Sequence, residues 1–200
     1  QTPFYNTTDP QCAKIHKSNK TTAGYTVQMS VDGKHGLIVH AESTNAPNDA
    51  GQLNDQIKKA KDVLGKSPDT VVSDTGYYSL PDLSKVDAAI AVVIPTQKQV
   101  LKERQKDKPT PFDKEQFIYD ETSDQYICPE GRRFNRAGFD KDKQQYYYRT
   151  KKKNCLSCRH FGVCTKSPKG RTIKRSIHEK LKEQLEQIYD SPQGQEIYAL

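Results

Sequence analysis

Apolar periodicity in this chain is confined to two stretches, up to about Ile94 and from about Ile177 onward, and the long segment between them has almost none. A chain patterned this way must build its main core from the outer stretches and hold the middle by other means. Only 33% of the 200 residues are hydrophobic while 28% are charged, which leaves little apolar surface for a second core. Three parts are expected: a core segment at 1–95, a basic insertion at 96–176, and closing helices at 177–200.

In the first part, Tyr25, Val27, Met29 and Val31 alternate with Thr26, Gln28 and Ser30, the period of a half-buried strand. Asp32-Gly33-Lys34-His35-Gly36 supplies a turn, and Leu37 to Ala41 reads as the returning strand of a hairpin. A helix capped at Asn48 or Asp49 should follow to Leu64, with Leu53, Ile57, Ala60 and Leu64 on one stripe and Gly65 ending it. Thr70 to Ser73 predicts a short buried strand closed by Asp74 and Gly76, then a helical turn from Ser79 and a second buried strand within Ala88–Ile94. Strand, strand, helix, strand, helix, strand is the order of an α/β layer, a mixed sheet with helices. In the tail, Ile177, Leu181, Leu185 and Ile188 make a helical stripe, and Ser191-Pro192 opens a further helix running to Leu200.

The middle part holds four of the five cysteines. Cys155-Leu156-Ser157-Cys158 sets two thiolates within reach of one metal, Cys164 follows, and Cys128 closes the set from across a β-like excursion. Four thiolates suit tetrahedral Zn²⁺ or a [4Fe–4S] cluster, and spacing does not separate the two. Either would organise a segment too polar for its own core. The structural alternative is four reduced thiols. His160, between the ligands, is more simply an exposed structural histidine, and Cys12 needs no role.

Net charge is +7, a balance that favours polyanionic partners. Lys151, Lys152, Lys153, Lys166, Lys169, Arg171, Lys174 and Arg175 surround the cysteines, and such a cluster neutralises phosphates. Tyr146, Tyr147 and Tyr148 could stack on unpaired bases, but a strand of alternating tyrosines packed on the insertion is the simpler reading. No apolar run approaches the ~18 residues of a membrane span, and no signal-peptide pattern opens the chain, so a cytoplasmic protein is expected. The chain starts at Gln1 rather than Met and stops at Leu200 inside a helical pattern, which reads as a piece of a longer protein.

Asp74 is the residue most suited to chemistry. Side chains at the carboxyl ends of strands in an open α/β sheet face the functional crevice, and a carboxylate there is a hard ligand for Mg²⁺ or Mn²⁺. The plainer alternative is an aspartate that ends its strand by capping the next turn. Val71-Val72-Ser73-Asp74-Thr75-Gly76-Tyr77-Tyr78-Ser79 resembles the second-aspartate segment of bacterial DDE-type insertion-sequence transposases, the IS1182-like group within the IS4/IS5-like class. Thr8-Asp9-Pro10, Gly24 to Gln28, Val31-Asp32, His35 to Val39, Thr44 to Asp49, the cysteine segment and Gly194 to Tyr198 resemble that group in the same order.

The resemblance implies a partial ribonuclease-H-like fold interrupted by the insertion. It also implies a site where three acids hold two Mg²⁺ ions about 3.5–4 Å apart. Water cuts the transposon end, and the freed 3′-hydroxyl then attacks target DNA. Asp74 would be the second acid, with the first upstream of Gln1 and the glutamate beyond Leu200, so this chain alone would be inactive. Asp9 and Asp32 read as structural, and Glu196 comes too early for the family's glutamate. Terminal inverted repeats and target DNA would be the partners, a homodimer the assembly, and the bacterial nucleoid the place of action. Two rivals stand beside this: a DNA-binding metal ribbon next to a non-catalytic core, and a ribonuclease-H-like nuclease without transposition.

Overall fold

The computed structural model describes residues 6–17, 20–104 and 110–199; Leu200, to which the last helix was expected to run, lies outside them. The chain is mixed α/β and forms two compact units, one of residues 1–103 with 180–200 and one of residues 104–179. No helix among the described residues is long and apolar enough to cross a membrane.

The first unit opens with a hairpin that the sequence reading did not anticipate, β1 (Ala13–Lys17) with β2 (Lys20–Gly24). β2 reads Lys-Thr-Thr-Ala-Gly, with no apolar alternation to announce it. The expected hairpin follows as β3 (Thr26–Val31) and β4 (Ile38–Thr44), antiparallel from Thr26 opposite Thr44 to Val31 opposite Ile38. Helix α1 (Leu53–Leu64) packs on both strands and ends at Gly65, whose left-handed φ of 69° lets its N–H reach the Lys61 carbonyl at 2.8 Å. Its N-cap is Gln52 rather than Asn48 or Asp49. Asn48 instead accepts from the Ala50 N–H in a tight turn, so the helix starts one turn later.

The facing of β3 is inverted from the expected one. Val27, Met29 and Val31 are 68%, 52% and 49% exposed, whereas Gln28 is completely buried. The polar face turns inward because it is met by hydrogen-bonding partners: Ser30 donates to Gln56 of α1 at 3.3 Å, and Gln28 finds both an acceptor and a donor. A buried amide whose nitrogen and oxygen are both hydrogen-bonded avoids most of its desolvation cost.

Strand β5 (Thr70–Val72) pairs in parallel with β6 (Ala91–Val93), and the crossover contains a 3₁₀ turn at Thr75–Tyr77 and the short helix α2 (Leu80–Leu83). Ile94, Val93 and Val92 are buried, as their apolar run requires. Leu53 and Ile57 of α1, Leu83 of α2, Ile90, Val92, Ile94 and Leu185 form the core of this unit. Helix α3 (Gln97–Glu103) is tied to the tail by the buried Gln99, whose Nε2 donates to the Glu186 carbonyl at 3.2 Å and to Asp190 Oδ1 at 3.0 Å.

The second unit corrects the expectation of a coreless insertion. It holds a five-stranded antiparallel sheet in the order β11-β10-β9-β8-β7: β7 (Ile118–Asp120), β8 (Gln125–Ile127), β9 (Arg133–Asp140), β10 (Gln145–Arg149) and β11 (Thr172–Ser176). Phe117, Tyr126, Phe134, Tyr148 and Ile173 pack its core. A few aromatics each bury large areas, so this core needs no periodic run of aliphatic residues. Helix α4 (Lys152–Leu156) lies in the connection between β10 and β11.

The tail forms α5 (Glu179–Asp190) and α6 (Pro192–Tyr198). Ser191 caps α6 by accepting from the Gly194 N–H at 3.0 Å, as Ser191-Pro192 predicts. The buried stripe of α5 differs from the expected one: Leu185 and Tyr189 are buried, while Ile177 and Ile188 are 45% and 38% exposed. The Tyr189 hydroxyl donates to Glu103 at 2.7 Å, which anchors a residue that the aliphatic pattern overlooked.

Candidate active site and thiol pocket

Asp74 stands two residues past the end of β5 and is exposed. Its Oδ1 accepts the Gly76 N–H at 2.8 Å, so it caps the 3₁₀ turn while Oδ2 stays free of that bond. An open groove runs from it between the β3–β4 and β5–β6 pairs, lined by Met29 and Val31 of β3, Val39 of β4, Val71 of β5 and Ser73 just past it. Among the described residues no ladder bond joins the β3–β4 pair to the β5–β6 pair.

A second carboxylate that the sequence reading took for a helix cap stands close by. A Cβ built on Gly76 would lie 2.8 Å from Asp74 Oδ1 and 3.4 Å from Asp49 Oδ2, so both carboxylates lie beside one glycine, and a side chain there would push the Asp74 carboxylate aside. Asp49 Oδ1 accepts from Gln28 Nε2 at 2.6 Å, and Gln28 Oε1 accepts from the Tyr77 hydroxyl at 2.6 Å. Burial, together with the negative charges of Asp49 and Asp74, pushes the Tyr77 hydroxyl above its ordinary pKa, which keeps it a donor. The chain Asp74–Gly76–Tyr77–Gln28–Asp49 thus couples the end of β5 to the inner face of β3.

The other acids do not join this pair. Asp9 accepts from the Tyr25 hydroxyl at 3.0 Å and Asp32 from the His35 N–H at 2.8 Å, both in loops. Glu196 is exposed on α6, which packs against β6. Among the described residues no three His, Cys, Asp or Glu side chains are arranged to hold a metal ion. Asp49 and Asp74 have the oxygen donors that Mg²⁺ or Mn²⁺ takes, but they are two where the resemblance asks for three.

In the second unit Cys128, Cys155, Cys158 and Cys164 all line one largely apolar cavity of about 30 Å³. All four are free thiols, half-buried. Burial pushes the Cys164 thiol up, and Cys155, Cys128 and Cys158 add to that against the charge of Arg171. His160 lines the same cavity but is half-buried and held by other partners. Its Nε2 lies 3.0 Å from Glu130 Oε1, and its ring packs on Phe112 at 4.7 Å.

Lys151, Lys152, Lys153, Lys166, Lys169 and Lys174 are exposed. The two arginines grouped with them are used inside the unit. Arg171 donates to the Cys164 and Phe112 carbonyls at 3.3 and 3.1 Å, and Arg175 lies 3.9 Å over the Tyr119 ring and donates to the Tyr126 hydroxyl. Their burial follows from the flat guanidinium, which can stack on rings and bond carbonyls where an ammonium cannot. Tyr148 is buried, while Tyr146 and Tyr147 are covered by Arg136 and Arg149 respectively.

Residues 127–200 match the family model of the transposase DDE domain. The matched stretch contains the four cysteines, the exposed lysines and helices α5 and α6, and Asp74 lies outside it. The match is to a transposase domain and covers less than half of the chain. No curated protein and no solved structure matches the chain.

Proposed function

We propose that this chain carries part of the catalytic core of a DDE-type transposase of the IS1182-like group, which cuts phosphodiester bonds at transposon ends and joins the freed 3′-hydroxyl to target DNA. The similarity of residues 127–200 to the transposase DDE domain carries this reading. On it, residues 1–95 are a ribonuclease-H-like segment, 96–176 the basic insertion, and 177–200 the helices that lead to the family's glutamate. The protein acts on terminal inverted repeats and target DNA as a homodimer, in the bacterial cytoplasm at the nucleoid.

Asp74 is the acid on which the chemistry rests in this reading, and its exposed position at a strand end above an open groove supports the choice. The Gly76 N–H holds one oxygen of the carboxylate, fixing its orientation and leaving the other for a cation. Mg²⁺ bound there would polarise the scissile phosphate and stabilise the leaving oxygen. Asp49, held by Gln28, adds negative charge on the same side of the turn. The six exposed lysines of the second unit neutralise DNA phosphates, which makes binding fall steeply with salt.

The test is Mg²⁺-dependent nicking of terminal inverted repeats by the full-length protein. Asp74→Asn reduces nicking to background, and Asp49→Asn lowers it by roughly 10–100-fold, the usual cost of losing a supporting carboxylate. Wild-type nicking by Asp74→Asn would remove the reading. Transfer of a 3′-hydroxyl end to a second duplex separates transposition from plain hydrolysis.

A further inference from the structure

The cavity that the four thiols share differs from an ordinary cluster of buried cysteines in how its backbone is built. Cys128-Pro129-Glu130-Gly131-Arg132 folds into a tight knuckle: Gly131, at φ 72°, donates to the Cys128 carbonyl at 2.8 Å, and Cys128 donates to the Arg132 carbonyl at 3.0 Å. The Arg132 N–H then points at Cys128 Sγ, 3.3 Å away. A backbone N–H aimed at sulfur stabilises a thiolate far more than a thiol, because the bond becomes charge-assisted.

Opposite the knuckle, Cys155 lies in α4, Cys158 turns back to donate to the Cys155 carbonyl at 3.1 Å, and Cys164 follows on the same loop. Gly170 closes over them. It is buried, with φ 83°, and a Cβ there would stand 3.1 Å from Cys155 Sγ, so a side chain would intrude on the thiols. Arg171 lines the same cavity, and its Nε–H is buried with no hydrogen-bond acceptor among the described residues.

We propose that Cys128, Cys155, Cys158 and Cys164 form a structural site for a single Zn²⁺ ion. The chemistry of the donor set is soft and fourfold, which tetrahedral zinc prefers. A lone ion asks least of the site, since the four thiols of one cavity supply a complete tetrahedral set for Zn²⁺ with no inorganic sulfide required. Charge is provided for. Four thiolates around Zn²⁺ carry a net double negative charge, and the Arg171 guanidinium lies within the cavity wall, with Lys151, Lys152 and Lys153 at the start of α4. Among the described residues no three of these side chains already converge on a metal position, so zinc binding requires the thiols to reorient within their shared cavity.

The role of the ion is local. The five-stranded sheet has its own aromatic core, whereas the stretch from Lys151 to Gly170 leaves Leu156, Phe161 and Val163 exposed and holds one isolated β-bridge, Phe161 with Thr165. Cys128 is at the end of β8, so zinc staples that stretch to the sheet. Most free energy of such a site is folding free energy of the segment it organises.

The site is independent of the transposase reading, and metal content reads it out without any DNA assay. Protein purified without chelator is expected to contain zinc at one equivalent per chain and no iron or acid-labile sulfide. Replacement by Co²⁺ gives intense thiolate-to-cobalt charge-transfer bands with tetrahedral d–d absorption. Cys158→Ser lowers zinc occupancy, Cys158→His retains zinc with weaker charge transfer, and Cys12→Ala and His160→Ala leave both unchanged. Chelation opens Lys151–Gly170 to protease while the sheet persists. Stoichiometric iron with sulfide, metal-free folded protein, or zinc that survives in Cys158→Ser each overturns the proposal.

Discussion

Replacing Gln28 by alanine tests the inward polar face of β3 and its coupling to the candidate site. The side chain is wholly buried and makes two bonds of 2.6 Å, donating to Asp49 and accepting from the Tyr77 hydroxyl. The bond to the carboxylate is charge-assisted and worth roughly 1.5–3 kcal/mol, and the neutral one from Tyr77 about 0.5–1.5 kcal/mol. Asp49 is only half-buried, so water recovers part of the first, and the net loss for Gln28→Ala is about 2–3 kcal/mol. Urea unfolding followed at constant m-value measures it.

Gln28→Glu sharpens the test. It keeps the acceptor for Tyr77 but sets a second carboxylate against Asp49. Burial and that like charge raise the folded-state pKa of the introduced carboxyl above its unfolded value. The deficit is therefore full at neutral pH and shrinks as acid protonates the pair. A loss below about 0.5 kcal/mol for Gln28→Ala, within the range of an ordinary surface change, would refute the reasoning. So would a Gln28→Glu deficit that grows on acidification.

Two further outcomes follow from the cores of the two units. Burial acts to raise Asp124, but hydrogen bonds from Tyr148 at 2.5 Å and Tyr119 at 2.9 Å, with the charges of Arg136 and Arg175, hold its carboxyl below the ordinary range. Its contribution is fully present above the unfolded value of about 3.9 and is lost as pH falls through the lower folded value; Asp124→Asn flattens that acid limb in a near-UV circular dichroism titration. Leu185→Ala, in the core of the first unit, costs about 2–5 kcal/mol in urea unfolding, whereas Ile188→Ala on the exposed side of the same helix costs under about 1 kcal/mol.

Much of the first unit was legible in the sequence because its signals are local. The turn at Asp32–Gly36, the left-handed stop at Gly65, the apolar run into Pro95 and the Ser191-Pro192 cap each act through bonds or torsions within a few residues. The same local logic identified Asp74 as the aspartate that ends a strand and grouped the four cysteines. It also read the alternation in β3 correctly as a strand.

Which face of that strand turns inward was decided by tertiary structure alone. Period two says that the faces differ, but not which one will meet hydrogen-bonding partners, and here Gln56, Asp49 and Tyr77 make the polar face the buried one. Asp49 was unreadable as a site residue for the same reason, since it nears Asp74 only when α1 and the turn after β5 are both in place. The core of the second unit escaped a reading based on aliphatic periodicity because five residues scattered from Phe117 to Ile173 assemble it across strands. Sequence decides what each short segment can be; contact between distant segments decides which side chains desolvation permits inside, and here that included an amide and excluded three aliphatic residues.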